Sequence, residues 1–97
     1  MSLRTVLVDD ERLARLELRR LLAVHPQVEI IGEAANGDDA LALINAQQPD
    51  LAFLDVRMPG MDGLALAAQI DQRCQFVFCT AYDSYAIDAF GLQALDY

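Results

Sequence analysis

The chain contains no lysine: all seven basic residues are arginine, at Arg4, Arg12, Arg15, Arg19, Arg20, Arg57 and Arg73. Against them stand 15 acidic residues, for a formal net charge of −8. Cations are too scarce to replace the counterions of a phosphate backbone, which argues against nucleic-acid binding by this chain alone. Cysteine is nearly absent as well. Cys74 and Cys79 are the only two and form no CxxC pair, so a disulfide framework is excluded. The lone histidine, His25, has no metal-ligand partners at useful spacing and reads as a surface or cap residue beside Pro26. No apolar stretch approaches the roughly 18 residues that suggest a membrane span. The opening Met-Ser-Leu-Arg-Thr carries no apolar signal region. Together these absences lead us to expect a cytoplasmic chain in a reducing setting, with no membrane association.

What is present is a core. Of 97 residues, 55% are hydrophobic and 23% charged, which excludes a disordered tail and supports one domain. Short apolar runs (Val6 to Val8, Val28 to Ile31, Leu51 to Leu54, Phe76 to Cys79, and a fragment at Ala94-Leu95) alternate with segments of helical period. Most runs are apolar on both faces, as parallel strands covered on two sides are. The second is the exception: Glu29 and Glu33 alternate with apolar residues, which suits a sheet edge. Cys79 reads as a small buried hydrophobe.

Between the first two runs, Ala14, Leu18, Leu21 and Leu22 form one helical stripe, with Arg15, Glu17, Arg19 and Arg20 largely on other faces. The arginines read as a solvated face, the alternative being a surface for an acidic patch on a kinase. His25-Pro26 is expected to end that helix. Asn36-Gly37-Asp38 leads into a second helix striped by Ala40, Leu41 and Ile44, closed by Gln48-Pro49-Asp50. A third is expected over Gly63–Asp71 with Asp62 as its cap, and a fourth from Asp83 or Ser84 through Ala86, Ile87 and Phe90. The runs start roughly 18 to 25 residues apart, room for a crossover helix and too far for tight hairpins. Right-handed crossovers then give an open, doubly wound parallel α/β sheet.

In such a sheet, ligands bind beyond the carboxyl ends of the strands. The first run ends in Asp9-Asp10-Glu11, the third in Asp55 and the fourth in Thr80. With the first and third strands as neighbours, these residues share one site. Crowded carboxylates repel, and a divalent cation relieves the conflict. Oxygen ligands without histidine or cysteine point to Mg²⁺. Pro59-Gly60 after the third run is a turn that could present the Arg57 carbonyl to that metal.

Asp9-Asp10-Glu11, Asp55 with Met58-Pro59-Gly60-Met61-Asp62-Gly63, and Thr80-Ala81 resemble the signatures of the receiver domain of two-component response regulators. The stretch from Thr80 to Phe90, followed by Ala94-Leu95-Asp96-Tyr97, resembles the LytTR-type (LytR/AlgR-like) branch. The resemblance implies a flavodoxin-like, CheY-like fold with strand order 2-1-3-4-5. It implies Asp55 as acceptor of a phosphoryl group from a sensor histidine kinase. Asp10, Asp55 and the Arg57 backbone carbonyl would hold Mg²⁺, with Asp9 acting through water. Thr80 would contact the phosphoryl group, small Ala81 would leave the pocket open, and Tyr97 would be the switch aromatic. The expected role is a signalling domain, not a turnover enzyme, whose output is a LytTR-type DNA-binding domain reading DNA.

The family's lysine, three residues beyond the switch aromatic, has no counterpart here, since the sequence ends at Tyr97. The whole chain, 1–97, therefore reads as a receiver domain incomplete at its C-terminus, without its last helix and without an effector domain. Bare sheet surface is expected to promote pairing with a second copy. Two rivals remain. A haloacid-dehalogenase-type phosphatase needs a second acid two residues after its nucleophile, where this chain has Arg57. A pseudo-receiver would keep the fold as an interaction module without phosphorylation.

Overall fold

The computed structural model describes residues 2–55, 58, 60, 61, 63–70 and 74–79. Its elements follow the alternation of the sequence: β1 (Leu3–Val8), α1 (Arg12–Leu22), β2 (Val28–Ala34), α2 (Gly37–Gln47), β3 (Leu51–Asp55), α3 (Gly63–Ala67) and β4 (Gln75–Cys79). All pairings are parallel, in the order β2-β1-β3-β4. The expected fifth strand, fourth helix and their side chains lie outside the described residues.

The two-sided strands sit where their sequence requires. β1 lies between β2 and β3, and Val6, Leu7 and Val8 are all buried. In β3 the same holds for Leu51, Ala52, Phe53 and Leu54. Alternate residues feed different cores. Val6, Val8, Ala52 and Leu54 pack with Ala40 and Ile44 of α2 and Leu66 of α3, while Leu7, Leu51, Phe53 and Val77 pack with Leu22 of α1. The sheet is thus covered by α1 on one face and by α2 and α3 on the other. Each fully buried leucine or phenylalanine contributes roughly 1.5–3 kcal/mol. β2 is one of the two edges among the described strands, with Glu29 and Glu33 exposed, as its alternation indicates. Its register against β1 slips between Thr5 and Val6, where Ile31 is passed over.

Local chemistry sets the helix ends. Asn36 caps α2 by accepting from the Asp39 N–H at 2.8 Å. At the far end Gln48 takes a left-handed φ of 46° and Pro49 follows. α1 stops at Leu22, ahead of the expected His25-Pro26 boundary. There the Ala23 N–H bonds back to Arg19 and the His25 N–H to Leu22, closing the helix in turns before the proline is reached. α3 is regular only over Gly63–Ala67, shorter than its periodicity suggested, and turns carry the chain to Ile70. Two glycines shape the region after β3. Gly60 has a φ of 76°, a left-handed turn conformation. Gly37, opening α2, lies so close to the post-β3 loop that an added Cβ would stand 2.6 Å from that of Met61.

Candidate functional site

The order β2-β1-β3 fixes the site. Because Val8 pairs with Leu54, the residues that follow, Asp9 just after β1 and Asp55 at the end of β3, lie side by side. One carboxylate oxygen from each of Asp9, Asp10 and Asp55 lies within 4.8 Å of the others. Asp9 is buried at 6% exposure, Asp55 is half-buried and Asp10 is exposed, so the cluster opens from the sheet toward solvent.

Asp9 is held from several directions. Its N–H donates to the Ala34 carbonyl at 3.1 Å, which ties it to the end of β2. Its Oδ1 accepts from the Glu11 N–H at 2.9 Å, a local turn that starts α1 without a side-chain cap. Its carbonyl accepts from Arg15 Nη1 at 2.7 Å. Burial pushes the Asp9 carboxyl from 3.8 up to about 6. The Glu11 N–H opposes that rise, while repulsion from Asp55, Asp10 and Glu11 adds to it.

Such a site suits a hard cation. Three carboxylates offer oxygen donors alone, one acid is already destabilised in its charged form, and Asp10 faces solvent. Mg²⁺ keeps several waters and takes one or two carboxylates, which matches a cluster half open to water.

A family model, the response regulator receiver domain, matches residues 5–97. The chain belongs to that family. It is 46% identical over 97 residues to an uncharacterized response regulatory protein of Vibrio cholerae, covering 98% of this chain and 41% of that protein. It is 43% identical over 96 residues to the positive alginate biosynthesis regulatory protein of Pseudomonas aeruginosa, covering 95% of this chain and 39% of that protein. The chain thus spans about two fifths of the length of these curated relatives. Among solved structures, it is similar to the signal receiver domain of the response regulator NarL from Mycobacterium tuberculosis. That match has a TM-score of 0.72 and 37% identity, covering 95% of this chain and 77% of that one. The response regulator domain of Thermotoga maritima CheB, at 21% identity and a TM-score of 0.73, shares the fold.

In this receiver domain the strand ends bring Asp9, Asp10 and Asp55 together, while Arg57, Thr80, Ala81 and Tyr97 lie outside the described residues. Among the described residues, no helix is long and apolar enough to cross a membrane. The arginines of α1 require a correction. Arg20 pairs with Glu17 on the solvated face, as its position suggested. Arg15 does not belong there: its side chain is 16% exposed and reaches the Asp9 carbonyl at 2.7 Å and Glu33 at 2.8 Å. Arg19 also binds Glu33. Burial pushes Glu33 upward, but the hydrogen bonds from Arg19 and Arg15 outweigh it and hold its carboxyl below the usual range. The available signal was the spacing of Arg15 and Arg19, i and i+4 on one helix facing a glutamate at a strand end.

Proposed function

We propose that this receiver accepts a phosphoryl group on Asp55 from the phosphohistidine of a sensor kinase and switches a downstream output. The observation that carries this reading is the meeting of Asp55 with Asp9 and Asp10 at the carboxyl ends of β3 and β1. An Asp55 carboxylate oxygen attacks phosphorus and forms an acyl phosphate. The phosphorus–nitrogen bond breaks, its electron pair returning to the imidazole. Mg²⁺ bound here supplies charge neutralisation for the phosphoryl oxygens. Asp10 and Asp55 would hold it directly, with the Arg57 backbone carbonyl as a further ligand and Asp9 acting through water. Thr80 then contacts the phosphoryl group and Tyr97 turns inward, a population shift between two arrangements of the surface.

The output we assign is a LytTR-type DNA-binding domain in the full protein, in a homodimer. Support comes from the stretch Thr80 to Tyr97 and from similarity to the alginate regulator of P. aeruginosa and to the transcriptional regulatory protein BtsR of Salmonella typhi, 43% identical over 97 residues. The setting is cytoplasmic, and the domain signals without turning over a substrate.

Intact mass after incubation with Mg²⁺ and a small-molecule phosphodonor tests the reading. One phosphoryl group is expected on the wild-type chain, and none on Asp55→Asn or without metal. A folded wild-type chain that gains nothing leaves two readings, a pseudo-receiver or a receiver that needs the family lysine absent from this sequence, and a longer chain carrying that lysine separates them.

A further inference from the structure

Asp9 is anchored to the edge of the sheet through the Arg15 side chain, which grips its backbone carbonyl. Arg15 spans two acceptors with two different nitrogens: Nη1 donates to the Asp9 carbonyl at 2.7 Å and Nε to Glu33 Oε1 at 2.8 Å. The second oxygen of Glu33 is taken by Arg19 Nε, one turn further along α1. Glu33 lies at the carboxyl end of β2, and the next residue, Ala34, accepts the Asp9 N–H. The Asp9 peptide is therefore held on both sides from β2, directly through Ala34 and indirectly through Glu33 and Arg15. The carbonyl that Arg15 grips belongs to the peptide joining Asp9 to Asp10. Its plane sets the direction in which the exposed Asp10 side chain leaves the backbone.

We infer that Arg15, braced by Glu33 and Arg19, is a positioning residue that orients the Asp9–Asp10 peptide so that the acid cluster holds a divalent cation. This rests on the proposed reading of Asp9, Asp10 and Asp55 as the cation site. Arg15 reaches the acids through backbone, and its planar fork meets two acceptors at once. A lysine ammonium keeps the charge but lacks that fork. Charge and position predict opposite outcomes. A cation beside the cluster repels a divalent ion, so removing its charge strengthens binding if electrostatics alone matters. If Arg15 positions the acids, removing it weakens binding.

The test is calorimetric titration of the 97-residue chain with MgCl₂ at pH 7.5, with the folded fraction checked by circular dichroism. Arg15→Ala is expected to weaken Mg²⁺ binding about five- to tenfold, toward the low end of outer-shell effects at metal sites. Arg15→Lys is expected to weaken it less, in the same direction. Glu33→Gln is expected to weaken binding about twofold in the wild type and to have no effect in the Arg15→Ala background, since Glu33 acts through Arg15. Unchanged or tighter binding by Arg15→Ala overturns the inference and leaves the cation site standing. A wild-type chain that binds no Mg²⁺ overturns both. If Arg15→Ala does not fold, Arg15→Lys and Glu33→Gln decide: weaker binding by both upholds the inference, and unchanged binding by either overturns it.

Discussion

The two ends of the sheet treat charge in opposite ways. At the amino end, the Asp50 carboxylate accepts the Arg4 N–H at 2.9 Å, the Asp50 N–H donates to the Arg4 carbonyl, and the Asp50 carbonyl accepts from Gln75. The Arg4 guanidinium covers the Gln47 and Gln48 carbonyls at the end of α2. Charged groups there are matched to backbone partners left over by strand and helix ends. At the carboxyl end, three acids converge and one is pushed to about 6. The first end gains stability from its polar groups; the second gives some up to hold three acids together.

Four substitutions sharpen that contrast. Phe53→Ala, in the core between the ends, is expected to cost about 3–5 kcal/mol in chemical denaturation. Asp50→Ala removes the acceptor of the Arg4 N–H and is expected to cost about 1–2 kcal/mol. Asp9→Asn at the opposite end is expected to change sign, stabilising the metal-free chain by about 1–2 kcal/mol at pH 7.5. The direction follows from the carboxyl's rise from 3.8 to about 6 in the fold. A raised acid binds its proton more tightly when folded, so ionised Asp9 costs stability above about pH 6. That cost disappears as the pH falls toward 3.8, and the advantage of the asparagine should vanish with it. Denaturation of both proteins at pH 7.5 and pH 4 reads this directly. Smallest of all, Glu17→Gln, which loses only an exposed partner of Arg20, should leave the midpoint where it is.

Much of this was legible in the sequence because hydrophobic pattern and strand position are linked. Runs apolar on both faces, such as Val6 to Val8 and Leu51 to Leu54, belong in the middle of a covered sheet. The glutamates of Val28–Ala34 belong at its edge. The meeting of Asp9, Asp10 and Asp55 then follows from adjacency of β1 and β3. Three features were not legible. Periodicity placed Arg15 off the buried stripe but could not show that its side chain reaches the Asp9 carbonyl, a contact set by the angle between α1 and the strand ends. Glu33 carried the signature of an outward edge residue, and its two arginine partners come from another element. The end of α1 at Leu22 is set by backbone bonds to Ala23 and His25, which close the helix ahead of Pro26.

The most direct test of the contrast is the unfolding midpoint of the wild-type chain at pH 7.5, with and without MgCl₂. If the carboxyl end is a cation site, Mg²⁺ at a hundredfold excess over its dissociation constant should stabilise the fold by about 2.7 kcal/mol. The gain should shrink in Asp10→Asn. A midpoint that Mg²⁺ leaves unmoved would show that the acids at the ends of β1 and β3 do not hold the metal, and would contradict the account.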